Sequence, residues 1–88
     1  KIKLELFGAS RDFSNKDYLN LELQYKASIN DLRNEIIRYL YKNFQGNENF
    51  IKVVKSSAFC SENNEIISDN YKITKDQKIG IIPPIGGG

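Results

Sequence analysis

Ile2-Lys3-Leu4-Glu5-Leu6-Phe7 alternates apolar and polar positions before closing on two apolar residues, the period-two signature of a strand with one buried face. Its inward side is Ile2, Leu4 and Leu6. Residues 8–16 are rich in Gly, Ser, Asp and Asn and read as a loop. Alternation resumes in a second strand over residues 18–25, with Leu19, Leu21 and Leu23 in phase. The short separation predicts an antiparallel hairpin. From Ser28 the period becomes helical: Ile29, Leu32, Ile36, Leu40 and Phe44 form one stripe, widened by Ile37. Ser28 is a good N-cap, and Asp31 three residues on can act as the reciprocal half of a capping box while complementing the helix dipole. The helix is expected to end near Lys42 or Asn43. Gln45-Gly46-Asn47-Glu48-Asn49 breaks the pattern, and Gly46 suits a left-handed conformation.

Phe50 to Cys60 reads as a further strand with imperfect alternation. Glu62-Asn63-Asn64 supplies a turn, a short strand follows at residues 65–67, and Ser68-Asp69-Asn70 is another loop. Lys78-Ile79-Gly80-Ile81-Ile82 is the last strand, apolar enough to lie centrally, with Gly80 suggesting a close approach of neighbouring groups. The order is strand, strand, helix, strand, short strand, strand. It predicts an α+β architecture in which one main helix packs across one face of a mixed sheet, with the first and last strands adjacent and parallel at its centre. That arrangement is the β-grasp, or ubiquitin-like, fold.

The chain closes on Pro83-Pro84-Ile85-Gly86-Gly87-Gly88. Two prolines favour an extended path away from the sheet, so residues 1–82 are expected to be the folded domain and residues 83–88 an extended, flexible C-terminal tail. Counted from Pro83, the tail reaches roughly 18 to 20 Å at about 3.1 to 3.3 Å per residue. Glycine has no Cβ, so such a tail can thread a narrow channel and leave its carboxyl carbon unshielded. A frayed or added end has the same composition, and the tail alone leaves both readings open.

Eighty-eight residues allow one modest core, and 40% hydrophobic with 27% charged residues fits a globular chain rather than a disordered one. The single Cys60, with no histidine present, cannot ligate a zinc ion or an iron–sulfur cluster and rules out a histidine-dependent triad. No metal site is expected, and Cys60 reads as a small core residue. Thirteen basic residues are interspersed with eleven acidic ones, so Lys52, Lys55, Lys72, Lys75 and Lys78 read as solvated surface rather than a nucleic-acid face. No apolar run approaches the roughly 18 residues of a membrane span and no signal-peptide core is visible, so the expected location is cytoplasmic.

Three segments resemble the small subunit of molybdopterin synthase, a β-grasp sulfur carrier: Leu6-Phe7-Gly8-Ala9-Ser10-Arg11-Asp12, Ala27-Ser28-Ile29-Asn30-Asp31-Leu32, and the stretch from Ile79 through the two prolines to Gly88. The last is the specific one. Two features depart from the family: Lys75-Asp76-Gln77-Lys78 lacks the usual glycine between acidic residues, and residue 86 is a third glycine. The resemblance implies that an E1-like enzyme uses ATP to adenylate the Gly88 carboxylate, and that a sulfur donor then converts it to a thiocarboxylate. No cofactor would be bound permanently. The large subunit of the synthase, in a heterotetramer, would accept the tail, and its sulfur would attack cyclic pyranopterin monophosphate during molybdenum cofactor biosynthesis. On this reading Gly88 carries the chemistry, Gly87 and Gly86 are the thread, Pro84 and Pro83 the stiff base, and Ile85 an apolar anchor. Phe7 would join a docking surface or the core, and Arg11 would meet an acidic partner group or remain a plain loop arginine. The catalytic machinery would lie in the partners. Carriers for thiamine or tRNA thiolation share the fold and the Gly-Gly end, as do ubiquitin-like modifiers that form isopeptides with lysines. A β-grasp interaction domain with incidental glycines is the remaining alternative.

Overall fold

Alternation in the first strand is realised as β1 (Ile2–Leu6), with Ile2, Leu4 and Leu6 buried. The computed structural model describes residues 1–85. β2 (Tyr18–Leu21) pairs antiparallel with β1, placing Leu4 opposite Leu19 and Ile2 opposite Leu21. It stops four residues short of the expected strand, and Leu23 lies beyond it, half-buried against the core. The expected loop after β1 holds a 3₁₀ segment, Gly8–Phe13, which drives Phe13 into the interior. The Ser10 hydroxyl, itself buried, anchors that segment by donating to the Phe7 carbonyl at 2.7 Å.

A two-residue strand, β3 (Ala27–Ser28), leads into α1 (Ile29–Phe44). The capping box forms as expected: Asp31 N–H donates to Ser28 Oγ at 3.1 Å, and Ser28 N–H donates to Asp31 Oδ2 at 2.9 Å. Hydrogen bonding from the Ser28 backbone N–H, foremost, and from the Ser28 side chain holds the Asp31 carboxyl below its ordinary value. Because the folded pKa is depressed, this contribution to stability is present above the unfolded pKa and lost as pH falls through the folded one. The stability difference between the wild type and Asp31→Asn, read from urea midpoints, is therefore expected to shrink once pH drops below about 4.

Ile29, Leu32, Ile36 and Leu40 form the fully buried stripe of α1. They pack on Ile2, Leu4, Leu6, Phe59, Ile79 and Ile81 from the sheet. Each such side chain contributes about 1.5–3 kcal/mol by leaving water. At the helix end Gln45 and Gly46 both adopt positive φ, and a Cβ on Gly46 would lie 2.7 Å from the Tyr41 ring.

Residues 48–56 correct the sequence expectation, because they form a second helix, α2 (Glu48–Ser56), and not a strand. Asn47 caps it, its side-chain oxygen accepting from Asn49 N–H at 3.0 Å and Phe50 N–H at 3.2 Å. Phe50, Ile51, Val53 and Val54 turn toward the core at helical spacing. β-branched residues at three of these positions imitate a strand, while the cap and the aromatic contacts of Phe50 with Phe13 (5.1 Å) and Phe44 (5.2 Å) decide for the helix. Only Ala58–Cys60 remains as strand β4. β5 (Ile66–Ile67) pairs with β4, and β6 (Lys72–Ile73), which sequence patterning did not reveal, pairs antiparallel with β3. β7 (Gln77–Ile82) completes the main sheet, whose order is β2-β1-β7-β4-β5. β1 and β7 run parallel side by side, as expected of a β-grasp fold.

Arg33 links these parts. Its Nη1 donates to the Val54 carbonyl at 2.7 Å and the Ser57 carbonyl at 2.8 Å, Nη2 pairs with Asp69 at 2.8 Å, and the guanidinium lies 4.9 Å from the Phe59 ring centroid. Arg33→Met strips two partly buried carbonyls of a charged donor. It is expected to cost about 2 kcal/mol in urea unfolding, with little recovery in Arg33→Lys, which lacks the planar fork.

Candidate functional site

β7 delivers the chain to one end of the molecule beside the end of β1. Leu6 and Ile81 are register partners there, and the next residues of each strand lead outward together. Gly8 takes a positive φ, and its Cβ position lies 3.8 Å from the ring of Pro83. Pro83 is buried. The expected boundary of the tail therefore shifts by one residue: Pro83 belongs to the folded body, and Pro84 is the first exposed residue after it. Ile85 is an aliphatic side chain 100% exposed. Gly86, Gly87 and Gly88 lie outside the described residues. Counted from Pro84, five residues provide a reach of about 16 Å.

Gly80 explains how the surface beside the tail is built. A Cβ at residue 80 would stand 2.8 Å from Cys60 Sγ and 2.8 Å from Phe7 Cε2, so both side chains close over the missing one. The pleat alternates, with Ile79, Ile81 and Phe59 facing α1, so Gly80, Ile82, Ala58 and Cys60 face the opposite side of the sheet. Cys60 is paired with Ile66 and Ala58 with Ile82, which adds Ile66 to the same face. Phe7, Ile66 and Ile82 thus share the outer sheet face as an apolar collar, with Ile82 next to the tail root and Ile66 on the far side of β4. Phe7 and Ile66 remain 36% and 67% exposed, more than core packing requires. Toward β2 the same face becomes polar, with Lys78 Nζ 3.7 Å from Glu5 and Lys3 Nζ 4.6 Å from the Tyr18 ring centroid.

Phe7 lies over Gly80, just ahead of Gly8, and is only part-covered. Cys60 is a buried, free thiol, as a small core residue should be. Arg11 is exposed in the 3₁₀ segment and makes no ion pair among the described residues. Sequence patterning overlooked Ile66 and Ile82 as members of the surface. The outward parity of Ile82 was legible from the alternation of β7, but only strand pairing brings Ile66 to it. No cluster of three or more metal-ligating side chains occurs among the described residues, and no helix there is long and apolar enough to cross a membrane.

This geometry defines a class: a β-grasp, ubiquitin-like fold, with the chain leaving the central strand β7 at the prolines. Solved structures with this fold include SAMP1 from Haloferax volcanii, 13% identical with a TM-score of 0.67, over 99% of this chain and 98% of that one. A putative molybdopterin converting factor, subunit 1, from Pyrococcus furiosus is 18% identical with a TM-score of 0.68, over 96% and 97% of the two chains. A second structure of the H. volcanii small archaeal modifier protein 1 aligns at 11% identity and a TM-score of 0.67, again over 96% and 97%. No protein-family model matches the sequence, and no curated protein matches it significantly.

Proposed function

We propose that this chain is a sulfur carrier and serves as the small subunit of a molybdopterin synthase. The observation that carries the reading is the tail root: Pro83 locked against Gly8, then exposed Pro84 and Ile85 leading to three glycines, beside the apolar collar of Phe7, Ile66 and Ile82. A partner that covers the collar simultaneously receives the tail. The carboxylate of Gly88 would attack the α-phosphate of ATP, forming an acyl-adenylate and releasing pyrophosphate. A sulfur donor would then displace AMP, leaving a thiocarboxylate whose sulfur is a strong nucleophile. The large synthase subunit would take this tail and present the pterin, so the carrier needs no general base of its own. The likeness to the Pyrococcus furiosus converting-factor subunit and the Pro83-Pro84 pair support this acceptor.

The likeness to the archaeal modifier structures supports a second reading, in which the same adenylated glycine is transferred to lysines of target proteins. Intact-mass spectrometry after incubation with ATP, a sulfur donor and the organism's activating enzyme tests the carrier. An oxygen-to-sulfur mass gain confined to Gly88 is expected. An unmodified terminus with a demonstrably active enzyme overturns the carrier reading, and glycine-linked adducts on other proteins select the modifier.

A further inference from the structure

The root of the tail is fixed both along the chain and from beneath. Ile82 precedes a proline and Pro83 precedes another, and each ring holds its own φ at about −65°, so covalent geometry confines the backbone from Ile82 to Pro84. Ile85 is the first residue after β7 free of both restrictions. Beneath the root, the Cγ and Cδ of buried Pro83 each lie 3.8 Å from the Cβ position of Gly8, ordinary van der Waals contact. Gly8 has a φ of +55°, a conformation that a side chain penalises, and it opens the 3₁₀ segment Gly8–Phe13. That segment is pinned at both ends. Ser10 donates to the Phe7 carbonyl from its backbone N–H at 3.1 Å and from its hydroxyl at 2.7 Å. The Tyr39 hydroxyl of α1 donates to the Phe13 carbonyl at 2.7 Å, and the fully buried Phe13 ring meets Phe50 of α2 at 5.1 Å between centroids.

We propose that Gly8 and Pro83 are positioning residues that aim the tail, so that the adenylating site accepts one tail length. The inference rests on the carrier reading and adds what sets the origin and direction of the arm. A chain hinged freely at the end of β7 would sweep a volume, and one residue more or less would change only how often its carboxylate meets the phosphate. A root confined through Pro84 leaves residues 85–88 alone to span the remaining distance. Its dihedrals are set before the partner arrives, which lowers the ordering cost of binding. Reacting atoms need placement to within about 1 Å, and a fixed root converts tail length into that placement.

ATP–pyrophosphate exchange at saturating carrier, with the activating enzyme of the same organism, tests this through tail length. One glycine inserted between Ile85 and Gly86 lies past the folded body and shifts the carboxylate by up to roughly 3.3 Å. With the native root it is expected to lower kcat about tenfold. Pro83→Gly is expected to lower kcat about fivefold by itself, and in that background the insertion should cost less than about twofold more. Gly8→Val disturbs the same contact from the other side and should blunt the length preference likewise. Urea midpoints establish that each variant is folded; should Pro83→Gly not fold, Pro83→Ala, which deletes the two ring carbons above Gly8, takes its place. A purely structural role for Pro83 would leave the insertion penalty at its full tenfold in the altered background, and that result overturns the proposal. Full activity of the insertion with the native root also overturns it, while the exchange itself upholds the carrier. Absence of wild-type exchange, with an enzyme active on another acceptor, overturns the carrier reading and the positioning role with it.

Discussion

Deletion of Gly88 is expected to abolish sulfur loading while leaving the unfolding midpoint unchanged. The folded body closes at Pro83, and Pro84 and Ile85 beyond it are exposed, so the deletion leaves every contact among residues 1–85 in place. Loss of one residue retracts the carboxyl carbon by roughly 3.3 Å from the position set by the anchored root. Misplacement of a reacting atom by about 1 Å can cost about a hundredfold in rate, so this deletion should lower adenylation by at least that factor. Gly87→Leu should approach the same loss by widening the thread. The paired measurement is pyrophosphate exchange beside thermal unfolding. Retained activity in the deletion variant would refute the carrier mechanism, whereas a lowered midpoint would show that the tail belongs to the fold.

Gly80→Val should be the most damaging single change to the proposed docking face. The added Cβ meets Cys60 Sγ and the Phe7 ring at 2.8 Å each, and a β-branched side chain adds two methyl groups where none fit. Overpacking of this kind costs about 1–3 kcal/mol, and the upper end is expected because Cys60 is buried between paired strands. Phe7, just past the end of β1 and 36% exposed, is the side chain able to move. The variant should therefore lose partner affinity beyond what its residual folded fraction explains. Adding Cys60→Ala removes the sulfur from the crowded site and should recover part of the stability, a non-additive result readable in a double-mutant cycle. Strict additivity of the two substitutions would show that the crowding is relieved elsewhere.

Much of the scaffold was legible because its signals are local. Period-two alternation identified β1, and helical spacing with the Ser28–Asp31 box identified α1. The apolar run ahead of the prolines identified the last strand and its central position. α2 was misread because Val53, Val54 and Ile51 satisfy a strand pattern and a helix pattern alike. Asn47 was the available signal, a capping side chain placed just ahead of that run. β3 and β6 are two-residue strands with too little pattern to detect, and they exist through their pairing with each other.

At the site, the sequence by itself determined the groups available: two prolines, an isolated aliphatic residue and a run of three glycines, in a sequence without histidine. Chain order and composition suffice for that, since they fix which functional groups exist. The tertiary structure alone decided that Pro83 is buried, that Phe7 and Cys60 close over Gly80, and that Ile66 shares the outer sheet face with Ile82. Each of these depends on contacts between residues far apart in the chain, where pairing register and helix packing choose the neighbours and local pattern has no power to do so.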